Sequence, residues 1–244
     1  MFRRDLFIFF MTIAIVQVIA DVSETFNNEP LVHVENITEA NLNSLFDQNI
    51  ELIRNIIYEK NLDPLEMPDR ILGIADTLPF AKLHLRDGWV QQLASIKRTG
   101  DVIARYYERN LTIEFDLGWQ DIDVNYSYAF RALLYLREGN FHGYFNNVRV
   151  SAMGNIDLET YNLQLKFFKI IDAGDFAFEL SGNIADYLIN AMSRVVTTFA
   201  KERVLREIEY HFVNSIQEKI DEINELLPEP MKTKAVKYLE QISK

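Results

Sequence analysis

The stretch IDVNYSYAFRALLYL, residues 122–136, decides the fold. Every even position is apolar or aromatic (Ile122, Val124, Tyr126, Tyr128, Phe130, Ala132, Leu134, Leu136), while the odd positions open polar with Asp123, Asn125 and Ser127. Successive strand side chains point to opposite faces, so a period of two buries one face and wets the other. A strand of this length spans about 50 Å.

The same alternation extends on both sides. Upstream, Leu111, Ile113, Phe115, Leu117 and Trp119 alternate with polar residues, and shorter strands are expected over 78–109 with turns at Arg86-Asp87-Gly88 and Arg98-Thr99-Gly100-Asp101. Downstream, a turn at Glu138-Gly139-Asn140 leads to a strand in which Phe141 and Phe145 are odd but Val148, Val150 and Ala152 are even. That parity change predicts a β-bulge at Asn146-Asn147. Gly154-Asn155 and Asp172-Ala173-Gly174-Asp175 read as turns around a strand carrying Tyr161, Leu163, Leu165 and Phe167 on one face, before Phe176, Phe178 and Leu180. Strands joined by short turns make an antiparallel meander.

From Ala185 to Leu227 the period becomes helical, and at 1.5 Å per residue this helix reaches about 65 Å, enough to lie along the strands. Leu188, Ile189, Met192, Val195, Val196 and Phe199 form one stripe. Leu205, Ile208, Phe212, Ile216, Ile220, Ile223 and Leu227 form a second, rotated beyond the polar break Lys201-Glu202-Arg203. A shorter amphipathic helix, with Thr38 and Asn41 as candidate caps, carries Leu42, Leu45, Phe46, Ile53, Ile56 and Ile57 on one face and stops before Pro64 and Pro68. The fold class is therefore α+β: a highly curved antiparallel sheet rolled around a long C-terminal helix, with an additional N-terminal helix.

The ends read differently. Residues 1–20 have the basic start, apolar run and small residues at Val18 and Ala20 of a secretory signal peptide rather than a transmembrane anchor. Residues 21–37 read as a flexible leader, 38–227 as one domain and 228–244 as a basic amphipathic tail. Without the leader peptide the chain holds 23 basic against 35 acidic residues, a charge of −12. That opposes a nucleic-acid partner, because phosphate binding depends on basic side chains. The chain has no cysteine, which excludes thiol chemistry. The sequons at Asn36, Asn110 and Asn125 are candidate glycosylation sites of an exported protein.

The segment Asp63-Pro64-Leu65-Glu66-Met67-Pro68-Asp69 after a first helix, and Ile96-Lys97-Arg98-Thr99-Gly100-Asp101 on a hairpin, resemble the group 7 mite allergens and their arthropod relatives. More distantly the chain resembles the bactericidal/permeability-increasing and takeout or juvenile-hormone-binding proteins. The takeout group usually carries an N-terminal cysteine pair that is missing here. The resemblance implies a sheet rolled around a long helix, secretion, an apolar ligand cavity and no catalysis, and it transfers no catalytic residue.

The residues themselves carry little chemistry. His33, His84, His142 and His211 have no metal-binding spacing, so no metal or cofactor is expected, and no nucleophile elbow or phosphate loop occurs. Asp121 and Asp123 continue into Asn125 and Ser127 as a solvated face. Glu207 and His211 are spaced for a local helix contact. Aromatic residues are the surplus. Phe115, Trp119, Phe145, Phe167 and Phe178, with Met192, Val195, Val196 and Phe199 of the helix, either fill the interior or line a space for a hydrophobic small molecule or lipid. Lys97, Arg98, Arg105 and Arg109 are candidate contacts for an anionic headgroup. The rival to a carrier is a secreted interaction or recognition protein with a filled core and no cargo. No particular protein partner is indicated.

Overall fold

The computed structural model describes residues 38–74, 80–160, 162–182 and 186–226. The expected signal peptide, leader with His33 and Asn36, and basic tail, together with Tyr161 and Leu227, lie outside the described residues.

The elements in chain order are β1 (Thr38–Asn41), α1 (Asn43–Glu59), β2 (Leu65–Met67), β3 (Arg70–Gly73), β4 (Lys82–Gln91), a 3-10 turn (Leu93–Ser95), β5 (Lys97–Tyr107), β6 (Asn110–Ala132), β7 (Tyr135–Asp157), β8 (Asn162–Asp172), β9 (Asp175–Leu180), α2 (Asp186–Phe199), a π-helical turn (Ala200–Val204) and α3 (Leu205–Leu226). All nine strands join one antiparallel sheet, and its apolar face packs on the α2–α3 helix in a single core.

The spine is the β6–β7 hairpin, two strands of 23 residues paired from Asn110↔Asp157 to Ala132↔Tyr135. The other flank of β6 is taken first by β5 and then by β4. The other flank of β7 is taken by β8 and then β9. Residues 111–119 and 122–132, each an alternation of its own parity, therefore belong to one strand.

A crease crosses this sheet at mid-length. Trp119 and Ile122 both face inward with Gln120 and Asp121 exposed between them, and on β7 Phe145 and Val148 are both buried around Asn147, whose φ is 60°. Both strands change parity at the same level, so Trp119↔Val148 and Asp121↔Asn146 keep one register. The bulge expected at Asn146-Asn147 is thus matched on the opposite strand. Flanking strands break on the same line: the 3-10 turn separates β4 from β5, and Ala173-Gly174 separates β8 from β9. Gly174 has φ 59°, and a Cβ there would meet Asn146 O at 2.0 Å. The helix changes character at this level too, since Lys201 of the π turn donates to Gly174 O at 2.8 Å.

Several expected boundaries are corrected. Thr38 and Asn41 lie in a strand paired with β5, and α1 begins at Asn43, whose amide donates to Asn41 Oδ1 at 2.9 Å. The Gly/Asp clusters at 86–88 and 98–101 interrupt strands instead of ending them, whereas 172–175 separates β8 from β9 as expected; a Cβ on Gly88 would meet the Tyr126 ring at 2.1 Å, so glycine serves close approach there, not a turn. Gly154-Asn155 lies inside β7, and the chain reverses at 158–160, where Asp157 Oδ1 accepts the Glu159 and Thr160 amides. The hairpin expected at Glu138-Gly139-Asn140 closes instead at Leu133-Leu134, leaving Leu134 and Leu136 exposed rather than on the inner face. The long helix is not uninterrupted α-helix, since its centre is the π turn.

The free edge of β8 is covered by α3. Asn224 accepts from the Leu163 amide at 2.9 Å and donates to the Leu163 carbonyl at 3.0 Å, and Glu209 accepts from the Ile170 amide at 3.0 Å. Side chains thereby satisfy backbone groups that an exposed edge would offer to another strand.

Candidate functional site: the apolar interior

The interior is built on a spacing of four. Leu188, Met192, Val196, Ala200, Val204, Ile208 and Phe212 are all buried, and they form one stripe running through the supposed polar break. At 3.6 residues per turn each step of four overshoots a full turn by about 40°, so the stripe winds around the helix. The π turn, with its wider i→i+5 bonding, takes part of that rotation back at the crease. Lys201, Glu202 and Arg203 occupy only its solvent side. The stripe is bulky at both ends and small at its centre, where Val196, Ala200 and Val204 face the creased sheet.

Aromatic rings from the sheet close on this stripe. Trp119 donates its indole N–H to Leu93 O at 2.7 Å and meets Phe212 edge-on at 5.5 Å; Phe212 also stacks on Phe168 at 5.4 Å. At the other end Tyr126 contacts Phe141 and Phe199 at 6.3 and 6.2 Å, and Phe141 stacks on Phe178 at 5.7 Å. Phe145 lies on the Phe176 ring at 4.7 Å. Phe115 packs partly buried against Phe46 of α1, and Val195 is half-buried beside the stripe.

Of the nine expected lining residues, Val195 is half-buried but not packed on this core, and seven lie in or against it. Phe167 does not. A register shift between Met153↔Phe167 and Gly154↔Leu165 inverts the strand, so Phe168 is buried and Phe167 is 40% exposed. Phe141, Phe168, Phe212, Ala200 and Val204 are also buried in this core and were not among the expected lining residues. The spacing of four would have found the last two.

Among the described residues two buried polar atoms have no hydrogen-bond partner, Arg54 Nε and the Tyr126 hydroxyl. Tyr126 is buried with no hydrogen-bond partner for its hydroxyl, and burial pushes the phenol well above its ordinary pKa. The Tyr128 hydroxyl donates to Ser181 O.

The basic cluster does not converge. Arg98 makes two bonds to Asp47, at 2.9 and 2.7 Å, and its guanidinium holds that carboxyl below the usual range. Arg105 sits between Glu39 and Glu114, Lys97 donates to Gln120, and Arg109 faces Glu159 at 3.5 Å. Their acceptors are spread over β1, α1, β6 and the 158–160 turn. Glu207 pairs with Arg70 at 3.1 Å. Asn110 is exposed, whereas Asn125 is half-buried between Gln91 and His142.

Asp63 explains part of the shared motif. Its carboxylate accepts the Gln92 and Ala94 amides at 3.0 and 2.8 Å, anchoring the 3-10 turn at the crease, beside an open groove of about 600 Å³ against α1. No group of metal-binding side chains occurs among the described residues, and none of their helices is long and apolar enough to cross a membrane.

A model of the Group 7 allergen family matches residues 41–220. No curated protein matches the sequence. Among solved structures, a lipopolysaccharide binding protein is similar at 13% identity and a TM-score of 0.48 over 75% of this chain, which spans 40% of that protein's length. Takeout 1 of Epiphyas postvittana is similar at 18% identity and a TM-score of 0.38, over 75% of this chain and 86% of that one.

Proposed function

This chain belongs to the Group 7 allergen family, and from that premise we propose that it is a secreted, non-enzymatic carrier of a hydrophobic, lipid-like small molecule. The observation that carries the reading is the winding apolar stripe, buried along its length and small at its centre, Val196, Ala200 and Val204, between the ring contacts of Phe199 with Tyr126 and of Phe212 with Trp119. Small side chains opposite a bend are where separation of sheet and helix opens an elongated apolar space. Such a space holds a ligand by burial, at about 0.8 kcal/mol per CH₂.

The filled-core interaction protein is the second reading, favoured by the ring contacts of Trp119 with Phe212 and Phe145 with Phe176. Mass spectrometry of organic extracts from natively purified protein separates the two. A carrier releases a stoichiometric hydrophobic compound that unfolded controls do not retain. Extracts free of one, across independent preparations from the native source, count for the filled core.

A further inference from the structure

We propose that the β6–β7 hairpin tip is a docking site for an anionic phospholipid surface, independent of whether the interior carries cargo. The turn is made of Leu133 and Leu134, whose relative exposures are 87% and 104%. Leu133 has φ 52°, the left-handed conformation that the first position of a two-residue hairpin turn normally gives to glycine. The register that ends at Lys82↔Arg131 brings Phe80 to the same end of the sheet, and Phe80 is 82% exposed with φ 70°. Two of the three most exposed large apolar side chains among the described residues therefore sit on backbone that disfavours them. Local conformational preference has been given up to present apolar groups to the outside.

The charges around the tip identify what it meets. Lys82 and Arg131 are directly opposite across adjacent strands, and Arg131 is in turn opposite exposed Leu136. Arg137 lies over the Tyr135 ring at 4.6 Å. No ion pair among the described residues engages Lys82, Arg131 or Arg137; Glu138 turns to Arg86 at 4.0 Å. Like charges directly across strands repel, so this arrangement is relieved by an external anion. A second copy does not supply one, because tip against tip sets cations against cations. An anionic lipid surface does: phosphate and carboxylate headgroups meet the three cations while the leucines and Phe80 enter the acyl boundary, the depth reached by amphipathic anchors. The mature chain's net charge of −12 (23 basic against 35 acidic residues) does not prevent this, because at physiological ionic strength interactions are screened beyond about 8 Å.

The test uses the full mature chain with phosphatidylcholine vesicles, with and without phosphatidylserine. Wild type is expected to co-sediment with the serine-containing vesicles, less so as salt rises. Leu134→Trp should add a blue-shifted emission, quenched by brominated acyl chains, over the background of Trp89 and Trp119. Leu133→Gly with Leu134→Asn gives the turn its preferred residues and leaves the melting temperature unchanged or higher. It should nonetheless lower partitioning at least tenfold, since each buried leucine contributes roughly a factor of ten or more. Exchanging Lys82, Arg131 and Arg137 for Gln should remove about a fivefold factor per cation from binding to anionic vesicles only. The proposal is overturned if wild type binds neither vesicle, which would leave the tip as a protein contact. It is equally overturned if the folded Gly-Asn variant partitions like wild type.

Discussion

Tyr126 places a hydroxyl in an apolar interior with no partner among the described residues. A buried hydroxyl without a hydrogen bond costs free energy, and replacing it with an apolar group of the same shape is neutral or stabilising. Tyr126→Phe should therefore leave stability unchanged or raise it by about 1 kcal/mol in urea unfolding. A loss of that size would show that the hydroxyl has a bound partner. The neighbouring phenylalanines of β8 make a sharper comparison. Phe168→Ala should cost about 3–5 kcal/mol, whereas Phe167→Ala at an exposed site should change stability by about 0.5 kcal/mol or less. Equal losses would refute the inverted register of β8. That inversion was not legible in the sequence, because Leu163, Leu165 and Phe167 continue an alternation that only pairing with β7 interrupts. Trp119, Phe145, Met192, Val196 and Phe199 were legible, since their periodicity needs no partner to reveal the buried face.

Turns and bulges are where the elements were hardest to read. Glycine next to aspartate or asparagine marks a reversal in an isolated hairpin, but in a sheet bent across its middle the same residues sit where backbones crowd. Gly174 is the test case. With φ 59° and a carbonyl oxygen 2.0 Å from any added Cβ, Gly174→Ala should lower the melting temperature measurably, by a strain of about 1–3 kcal/mol. A turn in open solvent would tolerate alanine better. Turn carboxylates also make stability depend on acid. Asp157, held below the ordinary carboxylate range by the Glu159 amide, contributes stability that is complete above pH of about 4 and lost as pH falls through its lower folded pKa. Asp157→Asn should flatten that acid limb of the stability profile while leaving the neutral region parallel to wild type. An unchanged limb would remove Asp157 from the account. The π turn was half legible: the stripe visibly rotates near Lys201, but the change of helical bonding there depends on the level of the crease, where Lys201 bonds to Gly174.

The whole molecule is a long hairpin bent with its neighbours around a helix that changes pitch at the bend. Length made this architecture readable, because 15-residue alternations beside a 43-residue helical period leave few other arrangements. The single 23-residue strands, the line of breaks shared by four strand positions and the exposed Leu133-Leu134 tip depended on which residues face one another, which one chain's sequence does not state. The central claim, that sheet and helix enclose space for a hydrophobic molecule about Val196, is tested most directly by titrating fluorescent fatty-acid and terpenoid probes into delipidated protein. The titration would be run in parallel on wild type and Val196→Trp, with thermal unfolding followed on both. The account predicts saturable single-site binding by wild type, and loss of binding in a variant that still unfolds cooperatively. Contradiction would be a folded wild type that gives no saturable signal with any probe, or a folded Val196→Trp that binds as tightly as wild type.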